Sequence, residues 1–216
     1  MNLIARTLAV AGFLLLVACF AGAGNAQQAQ VSRNQITDAV ELALPSGWRV
    51  ATPKQVVNFE RERKDIYSRA GLEPKVNPGD TVTFQAEKSE GADSIMIGVT
   101  VMPGEASQAE VAQLSEQRIA RIGDAFAQQF RSMAASAGVT NVAFTPPVLQ
   151  RVGDKLAIGY SNTFTTADGV KRTGVKYHVY MRNATVVISA TGADSIRKSL
   201  RDEASALIQG VRLNER

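Results

Sequence analysis

From Lys155 to Thr191 the chain runs through three consecutive alternations of apolar and polar residues. Leu156, Ile158, Tyr160, Asn162 and Phe164 interleave with Ala157, Gly159, Ser161, Thr163 and Thr165. A period of two marks an extended strand whose successive side chains face opposite ways. Ala167-Asp168-Gly169 predicts a hairpin turn, because glycine takes the positive φ that short loops need. Val175, Tyr177, Val179 and Met181 then make one face of a second strand, with Lys176, His178, Tyr180 and Arg182 on the other. After Arg182-Asn183-Ala184 turns the chain, Thr185 to Thr191 supplies a third run rich in β-branched residues. If Tyr177, Val179 and Met181 enter the core, then Arg172, Lys176, His178, Tyr180 and Arg182 point outward together. With Ser161, Thr163, Thr165, Thr185, Ser189 and Thr191 as small neighbours, that face reads as a shallow basic surface. It would suit an anionic partner such as lipid headgroups, an acidic polymer or an acidic protein, and an exposed His178 would strengthen binding in mild acid. The same pattern also fits an ordinary solvated sheet face.

Upstream, Val40, Leu42 and Leu44 alternate as a first strand, and Pro45-Ser46-Gly47 turns the chain before Trp48, read as a core anchor. Thr52-Pro53-Lys54-Gln55 matches a helix start, with Thr as cap, Pro at the first position and Gln three residues on. That helix is expected to reach about Ala70, with the charged run Glu60 to Asp65 as its solvated face. Gly71 to Gly79, with Pro74 and Pro78, reads as a loop. Thr81 to Glu87 and Ser94 to Met102 pair as antiparallel strands. The capping box Ser107-Gln108-Ala109-Glu110 opens the longest helix. Val111, Leu114, Ile119, Ile122, Phe126, Phe130, Met133 and Ala137 form its apolar stripe over roughly 30 residues, or about 45 Å. Gly123 is a candidate bend and Gly138 the stop. Val142 to Phe144 and Val148 to Val152 flank Pro146-Pro147 as edge segments. Asp194 or Ser195 is expected to cap a last helix carrying Ile196, Leu200, Ala204, Leu207 and Ile208, with Gly210 as its end. This order predicts an α+β domain: a mainly antiparallel sheet covered by one long helix and a C-terminal helix, with a shorter N-terminal helix.

Composition narrows the function. Of 216 residues, 45% are apolar and 20% charged, with a net charge of +4; this is ordinary globular composition, without the clustered basic residues and aromatics of a nucleic-acid binder. Residues 1–26 have the plan of a secretory signal peptide: Arg6, an apolar run from Leu8 to Ala18, and Gly24-Asn25-Ala26 before Gln27. Residues 27–38 read as a flexible polar arm and 39–216 as a single α+β domain. Leu16-Val17-Ala18-Cys19 also resembles a lipobox, although Phe20 follows where small polar residues are usual. Cleavage after Ala26 would give a periplasmic or secreted protein; lipidation of Cys19 would give a membrane-anchored lipoprotein. With His178 the single histidine and Cys19 the single cysteine, the chain cleaved after Ala26 has the means for neither a Cys/His zinc site nor Cys–His catalysis, and a Ser–His triad could use His178 alone. No nucleophile-elbow or phosphate-loop motif occurs, and no cofactor is expected.

The element order resembles the PsbP-like fold, which includes exported bacterial proteins of unknown function. The residues that carry the likeness are Leu44-Pro45-Ser46-Gly47-Trp48, the strand ending in Met102-Pro103-Gly104-Glu105 before a long helix, and the terminal three-strand block followed by a helix. The helix at Pro53 to Ala70 departs from that pattern. The resemblance implies a binding or assembly module without catalytic activity and transfers no active-site residue. The expected function is that of an exported envelope binding or accessory protein recognising a macromolecular or anionic partner. The alternative is a small secreted hydrolase using carboxylate or Ser/Lys/Tyr chemistry. The leader itself is tested by the intact mass of the protein recovered from its native cell. A mature start at Gln27 is expected; a diacyl or triacyl mass on Cys19 would show the lipoprotein, and a full-length product would overturn both.

Overall fold

The computed structural model describes residues 31–72, 80–104 and 106–214. Residues 1–26, read above as a signal peptide, with Cys19 among them, most of the loop around Pro74 and Pro78, and Glu105 lie outside them. In chain order the elements are β1 (Ser32–Thr37), β2 (Val40–Leu44), β3 (Trp48–Val50), α1 (Pro53–Arg69), β4 (Val82–Glu90), β5 (Asp93–Pro103), α2 (Gln108–Ala112), α3 (Glu116–Ser136), β6 (Thr140–Phe144), β7 (Val148–Val152), β8 (Lys155–Thr165), β9 (Lys171–Met181), β10 (Ala184–Ala193), α4 (Lys198–Gln209) and β11 (Arg212–Leu213). An eight-stranded antiparallel sheet has the order β3-β4-β5-β10-β9-β8-β6, with β7 also paired to β8, and β1, β2 and β11 form a small second sheet. The α+β class expected from the sequence is the one observed.

Both faces of the large sheet are covered. On one face α4 and β2 pack Leu200, Ala204, Ile208, Val40, Leu42 and Leu44 against Ile97, Val99, Val179, Val186 and Ile188. On the other, Ile119, Ile122 and Phe126 of α3 meet Ile158, Tyr160, Tyr180 and Val187, while Ile66 and Tyr67 of α1 join Phe130, Met133 and Phe164 farther along. Three layers result, the sheet in the middle. Trp48 is buried as expected, and its indole N–H donates to Glu203 on α4 (2.8 Å), whose other carboxylate oxygen takes Lys88 at 2.6 Å.

Four expectations need correction. The long helix is two: α2 ends at Ala112, and Ser115 caps α3 by accepting from the Arg118 amide (3.4 Å). A serine inside an apolar stripe offers the backbone this alternative to continuing the helix. Gly123 marks a close approach and no bend, since a Cβ there would lie 2.3 Å from Pro147. Ser32–Thr37 of the supposed arm forms β1, paired to β2; its polar residues hold by backbone hydrogen bonds, with little buried to leave a periodic trace. The last helix starts at Lys198, without a side-chain cap, because the Asp194 carboxylate is taken by Lys171 and Thr173.

Phe126 is 1% exposed at the centre of the α3 contact. Phe126→Ala is expected to lower stability by about 3 kcal/mol or more, through lost burial and a residual cavity. Urea denaturation measures this, and an unchanged midpoint would contradict the packing described.

Candidate functional site: a sealed polar layer and an open groove

The register between β8 and β9 decides where the candidate residues go. Ile158 lies opposite His178, Tyr160 opposite Lys176 and Phe164 opposite Arg172, so the apolar face of β8 and the polar face of β9 are the same face. On the far side, Val187 and Ser189 of β10 stand opposite His178 and Lys176. This face lies under α1 and α3. Arg172, Lys176, His178 and Tyr180 are 6%, 4%, 0% and 4% exposed, and of the five expected surface residues Arg182 alone, at the turn, is exposed. The basic surface expected from the alternation is therefore corrected to a buried layer. Ser161, Thr163 and Thr165 belong to the opposite face, because a change of one residue in register moves a whole set of side chains across the sheet.

The layer has unusual chemistry. The His178 ring lies nearly parallel to Phe126, centroids 4.2 Å apart and planes at 16°, with Tyr160 at 5.8 Å. Neither ring nitrogen has a hydrogen-bond partner among the described residues. Burial first, and then the neighbouring Lys176, hold the imidazole well below its usual pKa, so it is neutral. Burial also brings Lys176 down to about 7; its ammonium lies 6.0 Å from the Phe130 ring centre. Tyr160 and Tyr180 are pushed up by burial. Beyond these lie Gln85, Glu87, Thr100, Asn162, Ser189 and Thr191, all buried. They close in on Gly174, where a Cβ would meet Asn162 Oδ1 at 2.7 Å and Thr191 Oγ1 at 3.1 Å. Buried Gln85 Nε2, Glu87 Oε2, Arg172 Nε and Thr185 Oγ1 also make no hydrogen bond among the described residues. A neutral imidazole and a lysine near neutrality are the materials of proton transfer. Here both are sealed.

The opposite face is less completely covered. Where α4 starts, a groove of about 280 Å³ opens over Val175, Tyr177 and Ala190, flanked by Ile95 and Ile196 and rimmed by Arg201, Asp202 and Ser205. Small residues make the room: Ala190 and Gly192 face it, and the backbone at Gly174 and Ala193 completes the lining. Tyr177, expected in the core from its alternation, is half-buried on this floor, and Arg201 carries no motif in the sequence. The signal available was the run of small residues in β10 facing a helix with a cation in its first turn. Among the described residues no three His, Cys, Asp or Glu side chains come together to hold a metal, and no helix is long and apolar enough to cross a membrane.

No family model matches the chain, and no curated protein matches it in sequence. Solved structures do. The solution structure of cyanobacterial PsbP (CyanoP) from Synechocystis sp. PCC 6803 superposes with a TM-score of 0.51 at 13% identity, covering 90% of this chain and 98% of that one. LpqN of Mycobacterium tuberculosis, described as involved in cell envelope biogenesis, gives a TM-score of 0.48 at 10% identity over 87% of this chain and 92% of that one. The protein has a PsbP-like fold.

Burial of Lys176 has a measurable cost. Its folded pKa lies below its unfolded one, so between about pH 7 and pH 10 the unfolded chain binds the extra proton. Stability then rises with pH across that window, by about 1.4 kcal/mol per unit from this group. Lys176→Met is expected to be more stable near pH 7 and to lose that slope between pH 7.5 and 9.5, as read by chemical denaturation. An identical slope in the variant would show that Lys176 is protonated in the folded state.

Proposed function

We propose that the protein is an exported envelope binding or accessory protein without catalytic activity. The observation that carries this reading is the placement of its reactive groups. His178 and Lys176, the side chains whose chemistry best suits a general base, are 0% and 4% exposed beneath α3, out of reach of any substrate in solution. Export is supported by the leader-like residues 1–26. The PsbP-like fold supplies a scaffold and no site, since folds host unrelated functions.

One observation favours the hydrolase reading. Ser189, Lys176 and Tyr160 stand side by side on β10, β9 and β8, a hydroxyl, an amine with a pKa near 7 and a phenol in one row. That is the residue set of Ser/Lys hydrolysis, and it would act only if α3 lifted from the sheet.

The two readings separate in one pair of measurements. On purified protein, a fluorophosphonate probe is expected to leave the intact mass unchanged. Crosslinking in the native envelope is expected to capture one reproducible component, equally with wild type and with Arg182→Glu, because the rest of the former basic patch is buried. A fluorophosphonate adduct on Ser189 that Lys176→Met abolishes would establish the hydrolase and overturn the binding reading.

A further inference from the structure

We propose that the groove between α4 and the β9–β10 surface is a binding site for a small amphipathic carboxylate, a medium-chain acid lying on the sheet with its head at Arg201. The site deepens the binding role proposed above by naming a ligand class, and it stands on the groove whether or not a macromolecular partner exists.

The floor sets the tail. Val175, Tyr177 and Ala190 present apolar surface, and Ile95 and Ile196 close one side. At about 280 Å³ the space sits just under the roughly 300–1,000 Å³ usual for small-molecule sites. It suits a chain of modest length better than a sterol or a nucleotide. Val175 and Tyr177 are half-buried while their strand neighbours Lys176 and His178, on the other face, are fully covered. Between Val175 and Val179, the apolar surface that β9 leaves partly open is therefore on the groove side.

The rim sets the head. Arg201 is the cation in the lining; of its neighbours, Lys198 pairs with Asp202 at 2.6 Å, Lys171 with Asp194 at 2.8 Å and Arg197 with Asp93 at 3.0 Å. Asp194 also accepts from Thr173, and its carboxyl is held below the usual range chiefly by Lys171 and Thr173, with Arg201 a lesser contributor. Arg201 differs in its bonding. Its Nη2 donates to the backbone oxygens of Asp194 (3.0 Å) and Ile196 (3.3 Å), which orients the guanidinium at the mouth while leaving its charge, among the described residues, without a hydrogen-bonded carboxylate. An arginine fixed by two carbonyls, beside apolar floor and with the neighbouring charges matched, is arranged for an incoming carboxylate. The phenol of Tyr177 and the hydroxyl of Ser205 are further donors within the same depression.

Octanoate is the probe, titrated into purified protein and followed by calorimetry and by amide shifts of β9, β10 and α4. Saturable binding at one site is expected, with shifts at Val175, Tyr177, Ala190 and Arg201. Octan-1-ol is expected to bind about tenfold more weakly, the worth of one charge-assisted contact. Arg201→Gln should weaken octanoate by about tenfold and leave octan-1-ol unchanged, with Arg201→Lys restoring part of the loss. Ser205→Phe, at an exposed helix position, should plug the mouth and abolish both. Circular dichroism and the urea midpoint check that each variant folds. Equal affinity for octanoate and octan-1-ol, binding indifferent to Arg201→Gln, or shifts spread over other surfaces would each overturn the proposal. Failure of envelope crosslinking alone would leave it standing.

Discussion

The pairing of Tyr160 with Lys176 and of Ile158 with His178 is the constraint on which the rest of the structure depends. It lays the apolar side of β8 and the polar side of β9 on a common face, which must then be covered as a unit. Phe126 on α3 meets both strands at once, stacking on His178 while touching the Tyr160 ring at 5.6 Å. An aromatic ring is well suited to this, since it offers a flat apolar surface to the imidazole and a tilted face to the phenol. Shift the register by one residue and α3 would have lysine and histidine on one strand and glycine and serine on the next to cover, with no apolar row between them.

A layer so composed is not made for stability. Burying a lysine works against folding, as does burying an imidazole and an amide nitrogen that make no hydrogen bond among the described residues, and apolar replacements of similar volume are often neutral or better. What such a layer does supply is a definite register. A slip of one residue would carry Lys176 onto the α4 core among Val99, Val186 and Ile188. The same slip would take His178 off Phe126, so the stacked pair is made in one pairing of the strands alone.

Much of the scaffold was legible in the sequence. Period-two runs located β8, β9, β10 and β5; the Thr52–Gln55 and Ser107–Glu110 boxes located two helix starts, each with the reciprocal bonds expected. The site was not legible, because alternation divides a strand into two faces and says nothing of which faces on neighbouring strands coincide. Arg172, Lys176 and His178 looked like an exposed row because charge is usually solvated. Their burial is a property of register and of α3 together, and both are long-range. The break at Ser115 and the strand at Ser32–Thr37 were missed for the opposite reason: each rests on local backbone bonding with no hydrophobic period behind it. The groove was missed because it is made of what is absent from Ala190 and Gly192.

Gln108 shows how the sheet ends. The hydrogen-bonded register of β8 with β9 stops at Ala157 and Val179, and the next rung is filled from outside. Gln108 Nε2 donates to the carbonyls of Leu156 (3.0 Å) and Tyr180 (2.8 Å), and its Oε1 accepts from the Leu156 amide (2.7 Å). A primary amide carries the same donor and acceptor as a peptide group, so one side chain takes the place of a strand residue between two diverging strands. The first residue of α2 is therefore also a stitch in the sheet. Opening that end of the β8–β9 pair and lifting α2 are one motion, while the break before Ser115 leaves α3 free to settle on the aromatic row at its own angle.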